Sequence, residues 1–222
     1  LLSRRQRQMC IRDSHHVVIH VHGSFGNFYS NAFIKVMAEI YNDRKINFLS
    51  FNLTQHDGLA EAVREQNHIC SWEYVGYSVS DYNSCIDDIG GATDYVRNRN
   101  NDVIILQGHS LGCNRVLYYI KESGDEYPIV LLSPTNSLEL QRRWIFPEKI
   151  DQQISRLMAC GDENDINCIE HGVNTSGKEI NRARDDAPYI PISGKALVAM
   201  LKNPSMDIVQ MLNEEQPVAN VA

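Results

Sequence analysis

The residues best suited to covalent chemistry form the run Gly108-His109-Ser110-Leu111-Gly112, in which one serine stands between two glycines. Residues 103–106 before it are continuously apolar, as in a strand buried on both faces of a parallel sheet. Leu117 and Ile120 follow at helical spacing. A Gly-x-Ser-x-Gly run between a strand and a helix is typical of a nucleophile elbow. The pattern predicts that the Ser110 hydroxyl attacks an acyl carbon and forms an acyl-enzyme.

In this interpretation, the geometry of the turn explains why both flanking residues are glycines. A strand that turns sharply into a helix brings the two backbones too close for side chains at the flanking positions, so we expect Gly108 and Gly112 to be required there. The helix that follows directs its free amides and its positive end toward any negative charge that develops beside Ser110.

Strand-like and helix-like segments alternate on both sides of this motif. This alternation predicts an α/β fold, with a mostly parallel, doubly wound sheet and right-handed crossovers. The predicted strands are residues 15–22, 45–52, 103–106 and 128–133; the predicted helices are residues 28–42, capped by Asn27 or Ser30, residues 81–98, and a helix after Ser110. The apolar stripe of the first helix comprises Phe33, Val36, Met37, Ile40 and Tyr41.

Residues 53–79 interrupt the alternation of strands and helices. Their pattern is irregular, and it favours only a short helix at residues 60–65. Three aromatic residues in this segment, Trp72, Tyr74 and Tyr77, are interpreted as a small satellite core rather than a substrate wall.

Residues 135–212 also interrupt the alternation of strands and helices. They contain helical periods, such as Leu197, Met200 and Leu201, but no clear strand. This segment predicts a helical cap insertion over the carboxyl edge of the sheet, where ligands bind in such folds. The predicted organisation is a core at residues 15–134, the cap at 135–212, and a lead-in at 213–222 to a further core segment.

Residues 1–14 differ in character from the rest of the chain. They carry four arginines, no hydrophobic period and no secretory-signal pattern. The string resembles a translated sequencing adapter, so we expect a non-native or disordered tail there.

The bulk composition excludes several classes of function. A net charge of −7 argues against nucleic-acid binding, and no apolar run approaches the length of a membrane span. The six cysteines show no Cys-x-x-Cys pair, which favours free buried thiols and a cytoplasmic location. We expect a small-molecule acyl substrate, no cofactor and no metal.

Two glycine motifs together resemble the alpha/beta-hydrolase superfamily. They are the Ser110 motif and His22-Gly23-Ser24-Phe25-Gly26-Asn27. Phe-Leu-Ser-Phe-Asn at 48–52, Leu-Leu-Ser-Pro at 131–134 and Pro-Ile-Ser-Gly-Lys at 191–195 make the chain similar to a bacterial branch of uncharacterised hydrolases related to a fungal family. The resemblance covers residues 15–212 and implies an esterase-like or lipase-like serine hydrolase of a carboxylic ester or related acyl bond.

The resemblance also implies a role for individual residues. Ser110 would be the nucleophile, and the backbone amide of Leu111 would be one donor to the oxyanion. The amide of Ser24 would be the second donor, with that of Phe25 as a nearby alternative.

The catalytic base is missing from this pattern. The triad of the family runs serine, acid, histidine, and His171 is the one histidine after Ser110. Pairing His171 with Asp165 is disfavoured, because the few residues between them leave no room for the intervening helix and strand. We therefore expect the chain to be a fragment that ends before the acid and the base, and to be inactive by itself.

Two alternatives remain open. One is a non-catalytic binding protein that keeps the elbow as architecture. The other is a metal-dependent hydrolase with His20 and His22 as ligands, for which only His56 and Asp57 are further candidates. We favour a turn-stabilising role for His22, a satisfied core position for His20, a loop contact for His56 and Asp57, and a structural role for His109.

Overall fold

The computed structural model describes residues 7–10, 14–99, 103–139, 155, 166–170 and 189–214. The strands are β1 Arg7–Cys10, β2 His16–Val21, β3 Asn47–Phe51, β4 Ala60–Gln66, β5 Ile69–Val75, β6 Val103–His109, β7 Ile129–Leu132, β8 Ile166–Glu170 and β9 Tyr189–Ser193. The helices are α1 Ala32–Asp43, α2 Ser84–Arg97, α3 Leu111–Ser123, α4 Gly194–Lys202 and α5 Ile208–Glu214, with a 3₁₀ turn at Pro204–Met206. In these ranges no helix combines the length and the apolar character needed to cross a bilayer.

The central sheet confirms the predicted α/β class. Its five strands lie in the order β1-β3-β2-β6-β7, and the four strands from β3 to β7 in this order run parallel. Strand β2 is central, with Ile19 opposite Leu49 on one side and Leu106 on the other. The carboxyl ends of β2, β3 and β6 therefore meet at one edge, which is where functional residues of such sheets collect.

Alternate residues of β2 serve two separate cores. Val17, Ile19 and Val21 pack into the larger cluster, which also contains apolar residues of α2, α3 and α4. Val18 points the other way and packs with Ile34 of α1. This period of two, with both faces covered, explains the continuous run of β-branched residues in the sequence.

Helix α1 begins later than predicted and buries a different stripe. Asn27 makes a turn before the helix, since its Oδ1 accepts hydrogen bonds from the amides of Tyr29 and Ser30. The helix then starts after Asn31 and buries Ile34 and Ala38. Of the predicted stripe, Met37 and Tyr41 are partly buried against this core, whereas Phe33, Val36 and Ile40 are exposed.

Residues 7–10 lie in the sheet, although we expected residues 1–14 to form a tail outside the fold. Strand β1 pairs antiparallel with the edge of β3, with Met9 opposite Leu49. Backbone pairing explains the difference, because an open strand edge accepts a neighbouring chain segment with little regard to its side chains. The non-native origin of residues 1–14 stays a prediction.

The short helix predicted at residues 60–65 is wrong. Strands β4 and β5 form an antiparallel hairpin, in which Val63 stands opposite Trp72. The two residues between the strands, Asn67 and His68, both have positive φ, as a tight two-residue hairpin turn requires. Trp72 is 75% exposed and Tyr74 64%, and Tyr77 is buried in the main core against the ring of Phe25, so the predicted satellite core is wrong.

Residues 135–212 contain strands that the sequence did not indicate. Strands β8 and β9 pair antiparallel, with Cys168 opposite Pro191. The helix predicted around Leu197 and Met200 is confirmed as α4, but both residues are fully buried in the main core rather than in a separate layer. The other predicted features of this segment, including Asp165 and His171, lie outside the described residues.

Three cysteines have side chains that the structure describes, and all three are free. Cys85 and Cys113 are buried, as predicted, whereas Cys70 is exposed on the hairpin.

Candidate active site

Ser110 stands at the junction of β6 and α3 in a strained backbone conformation. Its φ and ψ are 54° and −124°, a region that non-glycine residues rarely occupy and that costs on the order of 1–3 kcal/mol. The side chain is half-buried, and the backbone amide donates to the Leu132 carbonyl across the sheet at 3.0 Å. Among the described residues, the hydroxyl has no hydrogen-bond partner. The geometry therefore holds a free hydroxyl at the carboxyl edge of the sheet.

The glycines around Ser110 are required by close backbone contacts, as the sequence predicted. A Cβ on Gly108 would lie 2.5 Å from the Gly112 carbonyl oxygen, which is the strand-to-helix contact itself. A Cβ on Gly112 would lie 2.2 Å from the Val21 carbonyl oxygen, so α3 also packs directly on the neighbouring strand β2. A Cβ on Gly23 would meet the Ser110 Cβ at 2.9 Å. The turn after β2 is thus in contact with the side chain of Ser110.

This turn, residues 22–27, presents one of the two amides predicted to bind an oxyanion. The Gly26 amide donates to the Gly23 carbonyl at 3.2 Å, and Phe25 has a φ of 54°. Ser24 is exposed between them. Its amide and that of Leu111, the first residue of α3, donate to no acceptor among the described residues. Neither amide is therefore used by an acceptor in the described part of the chain.

His22 stabilises the turn through both ring nitrogens. The Leu53 amide donates to Nε2 at 3.2 Å, which places the ring proton on Nδ1, and Nδ1 donates to the Gly23 carbonyl at 2.9 Å. Burial, together with the nearby positive charge of Arg115, lowers the pKa of His22 to about 3. The ring is therefore neutral near pH 7, and it has no lone pair left for a metal ion.

His20 lies in a second polar group beneath α1. Its Nδ1 meets the side-chain amide of Gln107 at 2.9 Å, and the other end of that amide accepts from Tyr41 at 2.5 Å. The Nε2 of His20 has no partner among the described residues, so the expected satisfied core histidine is only half satisfied. No group of three or more histidine, cysteine or acidic residues in the described part of the chain is arranged to hold a metal ion. The metal-dependent alternative therefore gains no support.

Arg115 is the main residue of this site that the sequence did not single out. It lies on α3 and is fully buried. Its Nη1 donates to the carbonyls of His22 at 2.9 Å and Gly23 at 3.3 Å, and its Nη2 donates to Gln55 at 2.8 Å. Nothing in the local sequence marks this residue, because its partners come from two distant loops.

His56 and Asp57 form part of a polar cluster next to the turn. The Asp57 carboxylate accepts hydrogen bonds from Asn27 at 2.5 Å, from the hydroxyl of Tyr29, and from His56 at 2.8 Å. Burial raises the pKa of Asp57, but these three hydrogen bonds outweigh it and lower the pKa overall. The cluster holds the turn against the loop after β3, since the Asp57 amide also donates to the Gly26 carbonyl.

His109 makes no hydrogen bond to the hydroxyl of Ser110, and its ring packs on Phe33 at a centroid distance of 4.9 Å. Burial lowers its pKa. The described residues thus place Ser110 between Leu111 and the turn that contains Ser24, but they supply no base bonded to the hydroxyl. The one later histidine, His171, lies outside the described residues.

Comparison with known proteins gives one family and many structures of similar fold. The model of a family described as protein of unknown function (DUF1749) matches residues 59–174, just over half of the chain. No curated protein matches the chain.

Among solved structures, the chain is similar to a putative hydrolase from Agrobacterium vitis, with 12% identity over 96% of this chain and 80% of that one and a TM-score of 0.58. A thermostable carboxyl esterase from Bacillus coagulans has 12% identity over 91% of this chain and 68% of that one, with a TM-score of 0.57. A monoacylglycerol lipase from Paleococcus ferrophilus has 16% identity over 94% of this chain and 70% of that one, with a TM-score of 0.51. The chain spans about two thirds of the length of the last two proteins. These likenesses, together with the sheet order, show the alpha/beta-hydrolase fold.

Proposed function

Because this chain belongs to the DUF1749 family of proteins of unknown function and has the alpha/beta-hydrolase fold, we propose that it is a serine hydrolase acting on a carboxylic ester or related acyl bond. The solved structures that resemble it include an esterase and a lipase, which agrees with acyl chemistry at the level of the fold. The small molecule that carries the acyl group is left open, since fold does not determine substrate.

The observation that carries the proposal is the conformation of Ser110. A non-glycine residue with φ of 54° between a strand and a helix needs surroundings that enforce it, and three glycines in backbone contact supply them here. The strain does not serve to pack Ser110 into the core, because the residue is only half-buried. Nor does it serve a hydrogen bond of the hydroxyl, which has no partner among the described residues. It does have a use in presenting a nucleophile.

The proposed reaction follows from the positions of the groups. The Ser110 oxygen attacks the acyl carbon as a base takes its proton, and the carbonyl oxygen of the substrate becomes an oxyanion. The amides of Ser24 and Leu111 donate to this oxyanion, and loss of one such donor typically costs about 10²–10³ in kcat. The alcohol leaves with a proton from the base, and water then cleaves the acyl-enzyme. We assign the base and the acid that orients it to residues outside the described ranges.

A fluorophosphonate probe tests the proposal, because it reacts with an activated serine and mimics the tetrahedral intermediate. The protein is produced from the complete coding sequence, and labelling is compared for wild type, Ser110→Ala and Ser123→Ala. Ser123 is the matched control, since it is an exposed serine at the far end of the same helix. We expect labelling of wild type and Ser123→Ala and none of Ser110→Ala. Labelling that survives Ser110→Ala, or folded wild type that never labels, would refute the proposal.

A non-catalytic binding protein is the second candidate, and one observation favours it. The described residues supply no base for Ser110, and an elbow without a base can still shape a binding pocket. This candidate requires that folded wild type does not react with the probe, so the same experiment separates the two functions.

A further inference from the structure

We propose that Arg115 is a positioning residue for the oxyanion site, which it maintains by holding the Gly23 carbonyl so that the Ser24 amide faces the substrate. This inference rests on the proposed function, since it assigns a role in the same reaction. Arg115 does not touch the substrate in this proposal. It acts through the peptide bond between Gly23 and Ser24.

The contacts of Arg115 converge on the turn after β2. Its Nη1 donates to the carbonyls of His22 and Gly23, and Nη2 is held in place by Gln55, whose own amide donates to the Ser80 carbonyl at 2.9 Å. Gln55 is also buried, so water does not compete for these bonds. A planar guanidinium spreads its donors over separate nitrogens and so reaches acceptors on two loops at once, whereas a lysine ammonium presents all its donors at one nitrogen.

The contact between Arg115 and the Gly23 carbonyl also sets the direction of the Ser24 amide, because both groups belong to one planar peptide bond. The described peptide bonds are all trans, so the C=O of Gly23 and the N–H of Ser24 point in opposite directions. Three donors hold the Gly23 oxygen toward the interior, namely the Arg115 guanidinium, the His22 ring and the Gly26 amide. The Ser24 N–H therefore points away from these three donors, and the same peptide lies next to Ser110, since a Cβ on Gly23 would meet the Ser110 Cβ at 2.9 Å.

The charge of Arg115 supports the same role. Among the described residues, no carboxylate lies within ion-pair distance of the guanidinium. Asp88 is close enough for its pKa to respond to Arg115, but its carboxylate is bound by Thr54 instead. A buried cation without an ion pair makes the neighbouring peptide a better donor to a developing negative charge.

The position of Arg115 in the sequence links the two halves of the site. It follows Ser110, the N-cap residue of α3, by five residues, so one element carries both the proposed nucleophile and the group that orients the opposite amide. A shift of α3 would move both together and would keep their relative geometry.

The experiment compares an oxygen ester with its sulfur analogue, using p-nitrophenyl butyrate and the corresponding thionoester. An oxyanion site stabilises negative oxygen better than sulfur, so the ratio of kcat/KM for the two substrates reports on the site itself. The variants are Arg115→Lys, which keeps the charge, and Gln55→Met, which removes one anchor of the guanidinium. Asn114→Leu is the matched control, because Asn114 is equally buried on the same helix but binds the Ser205 carbonyl and Ser137 instead.

We expect Arg115→Lys to lower kcat for the oxygen ester on the order of tenfold with little change in KM. The preference for oxygen over sulfur falls with it. Gln55→Met gives a smaller change in the same direction, and Asn114→Leu leaves the ratio at the wild-type value even if it lowers stability. If Arg115→Lys does not fold, Gln55→Met decides the matter. An unchanged ratio in the folded variants would overturn the inference, because a purely structural role lowers both rates equally.

Hydrogen exchange provides a readout that needs no activity. We expect faster amide exchange in residues 22–27 of Arg115→Lys than of wild type, and no such increase in Asn114→Leu. Unchanged exchange in this turn would overturn the inference while leaving the proposed function intact. If hydrolysis by wild type does not depend on Ser110, the proposed function fails, and the positioning role fails with it whatever the exchange shows.

Discussion

The substitution Gly112→Ala tests the contact that positions Ser110, the proposed nucleophile. Gly112 is the second residue of α3, and the added Cβ would lie 2.2 Å from the Val21 carbonyl oxygen and 2.9 Å from that of His22. Both neighbours are backbone atoms, one at the end of β2 and one in the turn after it, so no side chain can rotate away. Because carbon and oxygen atoms need well over 3 Å, the helix must retreat from β2 by about 1 Å.

The cost follows from this displacement. Adding one methyl group to a well-packed interior typically costs about 1–3 kcal/mol, and the rigid neighbours here place the cost at or above the upper end. The better helix propensity of alanine returns at most about 1 kcal/mol. We expect the free energy of unfolding to fall by about 3 kcal/mol or more, and labelling of Ser110 by the fluorophosphonate to fall with it.

Gly91→Ala is the matched control. Gly91 lies inside α2, and a Cβ there would meet nothing within 4 Å. The same chemical change should therefore stabilise the protein by about 0.5–1 kcal/mol through helix propensity alone. Urea unfolding followed by circular dichroism at 222 nm measures both variants. A Gly112→Ala protein as stable as Gly91→Ala would refute the close packing of helix and strand.

Three further outcomes follow from buried groups and from the hairpin. Burial lowers the pKa of both His20 and His22 to about 3, so the stability that each contributes is complete above pH 6.5 and falls by about 1.4 kcal/mol per pH unit below it. Urea unfolding at pH 7.5, 6.0 and 5.0 should show this fall in the free energy of unfolding. A free energy that stays constant would contradict the prediction. Burial raises the pKa of Asp88 to about 6, which has the opposite sign, because its stabilisation is complete below pH 3.8 and is lost as the pH rises through 6. The stability of Asp88→Asn relative to wild type should therefore rise by up to about 3 kcal/mol between pH 4 and pH 7. A difference in the free energy of unfolding that is the same at both pH values would contradict this. His68 has a φ of 63° in the hairpin turn, so His68→Gly should raise the melting temperature slightly, whereas a lower value would argue against the two-residue turn.

The core of the fold could be predicted because its signals are local. The run of β-branched residues in β2 indicates a strand buried on both faces, and the glycines around Ser110 indicate a strand meeting a helix. Both patterns depend on near neighbours in the chain, whose spacing sets which side chains share a face. The edge of the sheet where Ser110 lies follows from the direction of parallel strands.

The hairpin could not be predicted in the same way. Strand β4 reads Ala-Glu-Ala-Val-Arg-Glu-Gln, a composition that favours a helix by intrinsic propensity. It forms a strand because it pairs along its whole length with β5, and that pairing depends on a two-residue turn with positive φ at both positions. Propensity is a weak term, and backbone pairing with an adjacent strand outweighs it.

What the sequence determined by itself is the sharp turn at Ser110, the proposed nucleophile, and the strand and helix that flank it, because a motif of five residues and the regular spacing of apolar side chains are enough to specify them. Only the tertiary structure decided how the opposite side of the site is held. Arg115 would be expected on the surface of its helix, yet it is buried among carbonyls of a turn more than ninety residues earlier in the chain. No local pattern contains that contact, since it exists only when the helix and the turn after β2 pack together.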